Sequence, residues 1–213
     1  MSSPPVLIAT SNPGKLRDFS GAARAFSIHI EVAPLPGMAS LPAVEEDGAT
    51  FEANARKKAE FYSRSAPGQL VLADDSGLEV AALGGAPGVR SARYASDNPN
   101  PSATARNVDD ANNARLLREL SNVPDDRRQA RFVCVLAAAR NGSVLATFEG
   151  EVRGVILRAP RGQQGFGYDP LFFVPELGRS TAELPPEEKA RISHRGAAFR
   201  KFVLWYRASY QVP

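Results

Sequence analysis

Within "QLVLADDSGLEV", residues 69–80, Leu70-Val71-Leu72-Ala73 is an unbroken apolar run. A strand with one wet face alternates apolar and polar side chains. An unbroken run of this length fits a strand covered on both faces, as in α/β sheets flanked by helices. Such sheets carry their ligands at the carboxyl ends of the strands, which is where this reading puts Asp74 and Asp75. Successive strand residues point to opposite faces, so the two carboxylates are not expected to grip one ion together, and one of them should have the main role. Asp, Ser and Gly also form turns, and "DDSG" alone is described equally well as a strand running into a turn.

Strands and helices alternate elsewhere too. "PPVLIATSNPGKLRDFSGAARAF" reads as a strand, an Asn-Pro-Gly turn and a helix from near Lys15 with Leu16, Phe19 and Ala23 on one face. "IHIEVAPL" alternates as a second strand, and the Pro and Gly residues after it predict a long loop. Thr50 is the expected N-cap of a helix with Phe51, Ala55, Ala59 and Tyr62 on its apolar face, stopped by Pro67-Gly68. "GGAPGVRSARYASDNPNPSATA" shows no clear periodicity and predicts a loop of the kind that often carries function. A helix with Leu116, Leu117 and Leu120 follows, Asn141-Gly142 joins two strands in a hairpin, and Phe199, Phe202, Val203 and Tyr206 mark a closing amphipathic helix. The expected fold is α/β, a mixed central sheet flanked by helices, in one domain over residues 1–213.

At 213 residues, 43% hydrophobic and 23% charged, the chain has the makeup of a soluble globular domain. A net charge of +3 without concentrated basic runs suits small phosphates better than DNA. Cys134, the single cysteine, reads as a small apolar strand residue that cannot form a disulfide within a monomer, in keeping with a reducing cytosol. No apolar run approaches the roughly 20 residues of a bilayer span, and "VLIA" is too short for a signal-peptide core. Neither secretion nor membrane embedding is expected.

Four segments carry polar chemistry. "TSNPGK", Thr10, Ser11, Asn12, Pro13, Gly14 and Lys15, leads from a strand into a helix, where free N–H groups and the lysine would favour an anion. It lacks the spacing of the phosphate loop of kinases and ATPases. Glu46, in "EEDG", could join Asp75 in supplying the oxygen ligands that Mg²⁺ prefers. "GFGYDPLFF" sets Phe166, Gly167, Tyr168 and Asp169 where an exposed ring could stack on a purine. "EEKARISHRGAA" brings Lys189, His194 and Arg195 together, either as a solvated helix end or as donors to a phosphate or a base carbonyl.

In this order, "SNPGK", "DDSGLEV", "GAPGVRSARY", "GFGYDPLFF" and "EEKARISHRGAA" resemble the noncanonical purine nucleoside triphosphate pyrophosphatases, the inosine and xanthosine triphosphate pyrophosphatase family, from Val6 to about Phe202. The resemblance implies Mg²⁺-dependent hydrolysis of inosine, deoxyinosine and xanthosine triphosphates to the monophosphate and pyrophosphate. It also implies a cytoplasmic homodimer with no stable nucleic-acid partner, and a two-lobed elongated shape with the active site in the cleft. By motif matching, Thr10 to Lys15 would contact the triphosphate, and Asp75 would be the general base and a metal-linked carboxylate, with Glu46 near the metal. Ser76 would bind substrate, Phe166 to Asp169 would hold the base, and Lys189, His194 and Arg195 would complete the nucleotide site. Ser11 and Gln163-Gln164 depart from the glycines common in the family, and segment 96–110 is where access or dimer contacts would vary. Two other readings use the same residues. One is a related nucleotide pyrophosphatase acting on modified pyrimidines or for general housekeeping, with the same chemistry and a different base pocket. The other is a catalytically silent nucleotide- or nucleic-acid-binding module, against which the joint presence of Lys15, Glu46 and Asp75 argues.

Overall fold

A seven-stranded sheet runs in the order β2-β1-β3-β4-β5-β6-β7. Its strands are β1 (Val6–Ile8), β2 (Val32–Pro34), β3 (Val71–Val80), β4 (Gln129–Arg140), β5 (Ser143–Ile156), β6 (Phe172–Val174) and β7 (Arg179–Ser180). Among the described residues, five α-helices accompany it: α1 (Pro13–Ala25), α2 (Phe51–Ser63), α3 (Val108–Glu119), α4 (Pro186–Ile192) and α5 (His194–Tyr210). This computed structural model describes residues 5–26, 30–97 and 107–210. β1 pairs in parallel with β2 and β3, and β5-β6 and β6-β7 are antiparallel, so the sheet is mixed as expected. Asn141 and Gly142 both take positive φ, 53° and 80°, which is what a two-residue hairpin between twisted strands requires.

The chain divides into two compact units. The first holds residues 1–76, 134–151 and 190–213. Its core gathers Val6, Ile8, Leu70, Leu72, Cys134 and Leu136 from the strands with Phe19 of α1 and Phe199, Phe202 and Tyr206 of α5. All four apolar residues expected on the closing helix are buried. Gly150 lets α5 come down on β5: a Cβ there would stand 2.2 Å from the His194 carbonyl oxygen and 2.4 Å from the Ala198 nitrogen.

The second unit holds residues 77–133 and 152–189. Leu78, Leu116, Leu120, Phe132, Ile156, Leu171 and Phe172 are buried in it, and the rings of Phe132 and Phe172 lie 4.6 Å apart. The buried Arg128 guanidinium donates to the carbonyls of Leu120 (2.7 Å), Ile156 (2.7 Å) and Leu157 (3.0 Å), anchoring the end of α3 beside that of β5.

Several expectations are corrected. Asp74 and Asp75 sit inside β3, which continues through Asp-Asp-Ser-Gly to Val80 instead of stopping at Ala73, because sheet pairing overrides the turn preference of those residues. α1 begins at Pro13, two residues before Lys15. β2 spans only Val32–Pro34, and part of "IHIEVAPL" lies outside the described residues. The expected loop after Gly84 is coiled into 3-10 turns over Gly88–Asp97, with Ser91 and Tyr94 buried. Residues 98–106 of the 96–110 segment lie outside the described residues.

Candidate active site

The neighbouring carboxylates of β3 have separate partners, as the alternation of a strand dictates. Asp74 is the more enclosed, its side chain only 1% exposed. Its Oδ2 lies 3.0 Å from Lys15 Nζ, accepts a hydrogen bond from Ser76 Oγ (2.9 Å), and has Arg195 Nε at 3.6 Å. Arg195 in turn donates to Ser76 Oγ (2.7 Å) and to Asp18 Oδ2 of α1 (3.0 Å). Burial alone would raise the Asp74 pKa, but Lys15, Arg195 and Lys58 together outweigh it and hold the carboxyl well below the ordinary range.

Asp75 faces α2. Its Oδ1 lies 3.1 Å from Lys58 Nζ and its Oδ2 accepts from Asn54 Nδ2 (3.0 Å). The same Lys58 nitrogen reaches Glu46 Oε1 at 2.5 Å, so one ammonium holds both carboxylates. Here burial wins: assisted by Glu46 and opposed by Lys58 and the Asn54 hydrogen bond, it raises the Asp75 pKa. Burial also works to discharge Lys58, but Asp75, Asp74 and Glu46 outweigh it and raise the lysine, which stays protonated. Two adjacent aspartates are thus driven in opposite directions, Asp74 held well below the ordinary carboxylate range and Asp75 raised above its ordinary value. A divergence of this kind between neighbouring carboxylates is found both at acid–base sites and in structural ion-pair networks.

At the start of α1 the cap is closed by the protein itself. Asn12 Oδ1 accepts from the backbone N–H of Gly14 (2.8 Å) and Lys15 (3.3 Å), and Thr10 Oγ1 accepts from Asn12 N (3.2 Å). The donors expected to be free are therefore partly engaged. Ser11, Asn12 and Pro13 are exposed, and Gly14 is buried.

In the second unit, Asp169 organises the aromatic turn. Its Oδ2 accepts from Phe166 N (2.9 Å) and Lys189 Nζ (2.5 Å), and its Oδ1 accepts from Thr181 Oγ1 (2.9 Å). Tyr168 is buried, its hydroxyl donating to the Ser91 carbonyl (2.9 Å). Phe166 is half-buried, with Lys189 Nζ 5.2 Å from its ring centre. Of the two aromatic residues, Phe166 is the more exposed.

The solvated reading of Lys189, His194 and Arg195 fails, since all three are buried. The structure gathers Lys15, Asp74, Ser76 and Arg195 in one cluster, Glu46 and Asp75 in a second, and Phe166, Asp169 and Lys189 in a third. His194 opens α5. Sequence reasoning missed Lys58, Asn54, Asp18 and Thr181. A signal existed for the first two: they fall on the stripe of α2 that carries Phe51, Ala55 and Tyr62, and a polar side chain there must find a buried partner.

An open mixed sheet flanked by helices, with adjacent carboxylates driven in opposite directions by burial, lysine and arginine, defines the chain as an α/β protein. It belongs to the Ham1 family, whose profile matches residues 6–205. The dITP/XTP pyrophosphatase of Acidobacterium capsulatum is 55% identical over 193 residues, covering 91% of this chain and 93% of that one. The dITP/XTP pyrophosphatase of Geobacillus kaustophilus is 50% identical over 196 residues, covering 92% and 91%. A solved HAM1 protein from Coxiella burnetii superposes with a TM-score of 0.79 at 38% identity, covering 97% of this chain and all of that one. The family expected from the motifs is therefore borne out.

Proposed function

We propose that this chain is a magnesium-dependent nucleoside triphosphate pyrophosphatase that converts inosine, deoxyinosine and xanthosine triphosphates to the monophosphate and pyrophosphate. Removing these deaminated purines would keep them out of nucleic acid. The relatives named dITP/XTP pyrophosphatase support this substrate class. One observation carries the chemistry: Asp75, unlike its neighbour, is raised by burial while remaining within reach of Lys58, Glu46 and Asn54.

One water is consumed and one phosphoric anhydride bond is broken. Asp75 orients the water and takes its proton, and pyrophosphate leaves. Lys15 carries the positive charge nearest the α1 turn, and Asp74, Ser76 and Arg195 fix its direction. By the family resemblance, the Phe166 ring would meet the base.

Asp75 and Glu46 fit a magnesium site in chemistry, as two carboxylates whose oxygens converge on one small cation, the Lys58 ammonium. No group of three or more His, Cys, Asp or Glu side chains gathers among the described residues, and Mg²⁺ commonly takes one or two carboxylates with waters and substrate phosphates. When bound, it would neutralise charge on the polyphosphate and the leaving pyrophosphate. The resemblance further supports a cytoplasmic homodimer without a stable nucleic-acid partner. No helix among the described residues is long and apolar enough to cross a membrane.

Pyrophosphate release from inosine, xanthosine, guanosine and adenosine triphosphates, with and without Mg²⁺, tests the proposal. It predicts metal-dependent release that is much faster for inosine and xanthosine than for adenosine triphosphate. Equal rates for inosine and adenosine, or full activity in a chelator, would overturn it.

A further inference from the structure

Phe166 and Gly167 belong to no strand or helix, yet their backbone is held at three points by side chains. Asp169 accepts from Phe166 N. The other two contacts come from α3: Asp109 Oδ2 accepts from Gly167 N at 2.7 Å, and Asn113 Nδ2 donates to the Gly167 carbonyl at 2.9 Å. Asp109 and Asn113 are four residues apart, so they stand on one helix face one turn from each other and grip both polar groups of the same residue. Gly167 takes φ +61°, and nothing lies within 4 Å of where its Cβ would be, so α3 fixes the turn through the backbone alone. The helix is itself well anchored. Asn112 donates to the carbonyls of Ser91 and Ala92 (both 3.3 Å) and accepts from Ala95 N (2.6 Å), Arg115 packs over the Tyr94 ring at 4.0 Å, and Arg128 holds the Leu120 carbonyl.

We propose that Asp109 and Asn113 are positioning residues for base selection, clamping Gly167 so that the Phe166 ring is fixed before the nucleotide arrives. The inference rests on the proposed function, in which Phe166 meets the base. Preorganising a ring removes the loss of freedom that binding would otherwise incur, an effect felt by substrate and transition state alike. Releasing the clamp should therefore raise KM and leave kcat nearly unchanged.

The experiment compares wild type, Asp109→Ala, Asp109→Asn and Asn113→Ala, using inosine and adenosine triphosphate hydrolysis, thermal unfolding and the Gly167 amide resonance in ¹⁵N-labelled protein. Asp109→Ala should raise KM for inosine triphosphate about tenfold, the scale of a lost hydrogen bond to a charged group. It should also narrow the preference over adenosine triphosphate and shift the Gly167 amide signal. Asp109→Asn keeps an oxygen acceptor and should restore most of both the signal and KM. An Asp109→Ala protein whose amide signal shifts while KM and the preference stay at wild-type values would overturn the positioning role. So would a fall in kcat at constant KM, or an Asp109→Asn variant no better than alanine. If wild type does not prefer inosine triphosphate, the functional reading itself falls, and the positioning role falls with it. The amide signal still reports whether the clamp exists.

Discussion

Replacing Lys58 by methionine removes the cation shared by Asp75 and Glu46 while retaining most of the side chain's volume. The ammonium is 3.1 Å from Asp75 Oδ1 and 2.5 Å from Glu46 Oε1, and the Lys58 and Asp75 side chains are 10% and 6% exposed. Two unit charges about 3 Å apart attract by roughly 5 kcal/mol at an effective dielectric of about 20, which is a ceiling because solvent and side chains relax. An opposite charge at this range commonly lowers a carboxyl by about 1–3 pH units. In Lys58→Met that pull disappears, while burial and Glu46, which both raise Asp75, remain. The acidic limb of kcat/KM for inosine triphosphate should therefore move up by about 1–3 pH units. The assay is a pH–rate profile, with unfolding measured alongside because an unpaired buried charge costs about 3–5 kcal/mol. A folded Lys58→Met protein with its acidic limb where wild type has it would refute the reasoning.

Other consequences follow from the same contacts. Asp74 has a folded-state pKa below the ordinary 3.8, so the stability it lends is present above that value and lost as pH falls through the folded-state value. Asp74→Asn should cost about 3 kcal/mol at neutral pH and flatten the loss of thermal stability below about pH 4. Gly150→Ala sets a Cβ against backbone atoms of α5, and denaturant titration should show a loss of about 3 kcal/mol. Tyr168→Phe removes one hydrogen bond to a carbonyl that also accepts from Asn112. It should cost about 1 kcal/mol of stability and leave the preference for inosine over adenosine triphosphate unchanged; a changed preference would place Tyr168 in the base pocket.

Local pattern explains which parts of this account could be read from the chain. The Asn141-Gly142 hairpin, the Thr50 cap and the buried stripe of α5 each follow from a few adjacent residues, and each is present. Ten-residue β3 could not be bounded locally, because Asp-Asp-Ser-Gly prefers turns until neighbouring strands impose extension. The opposed tuning of Asp74 and Asp75 depends on Lys15, Lys58 and Arg195, which are distant in sequence, so adjacency hinted at two roles without assigning the partners. Lys58 could have been suspected from its place on an apolar stripe. Asp109 and Asn113 carried no such mark, since polar residues early in a helix normally face water, and only folding brings Gly167 to them.

Asp75→Asn tests the central claim most directly, because it keeps the size of the side chain and its neighbours and removes the proton acceptor. The variant should bind inosine triphosphate, measured by calorimetry, while pyrophosphate release falls by about 10²-fold or more, the scale of a lost general base. Turnover at the wild-type rate in a folded, nucleotide-binding Asp75→Asn protein would contradict the account.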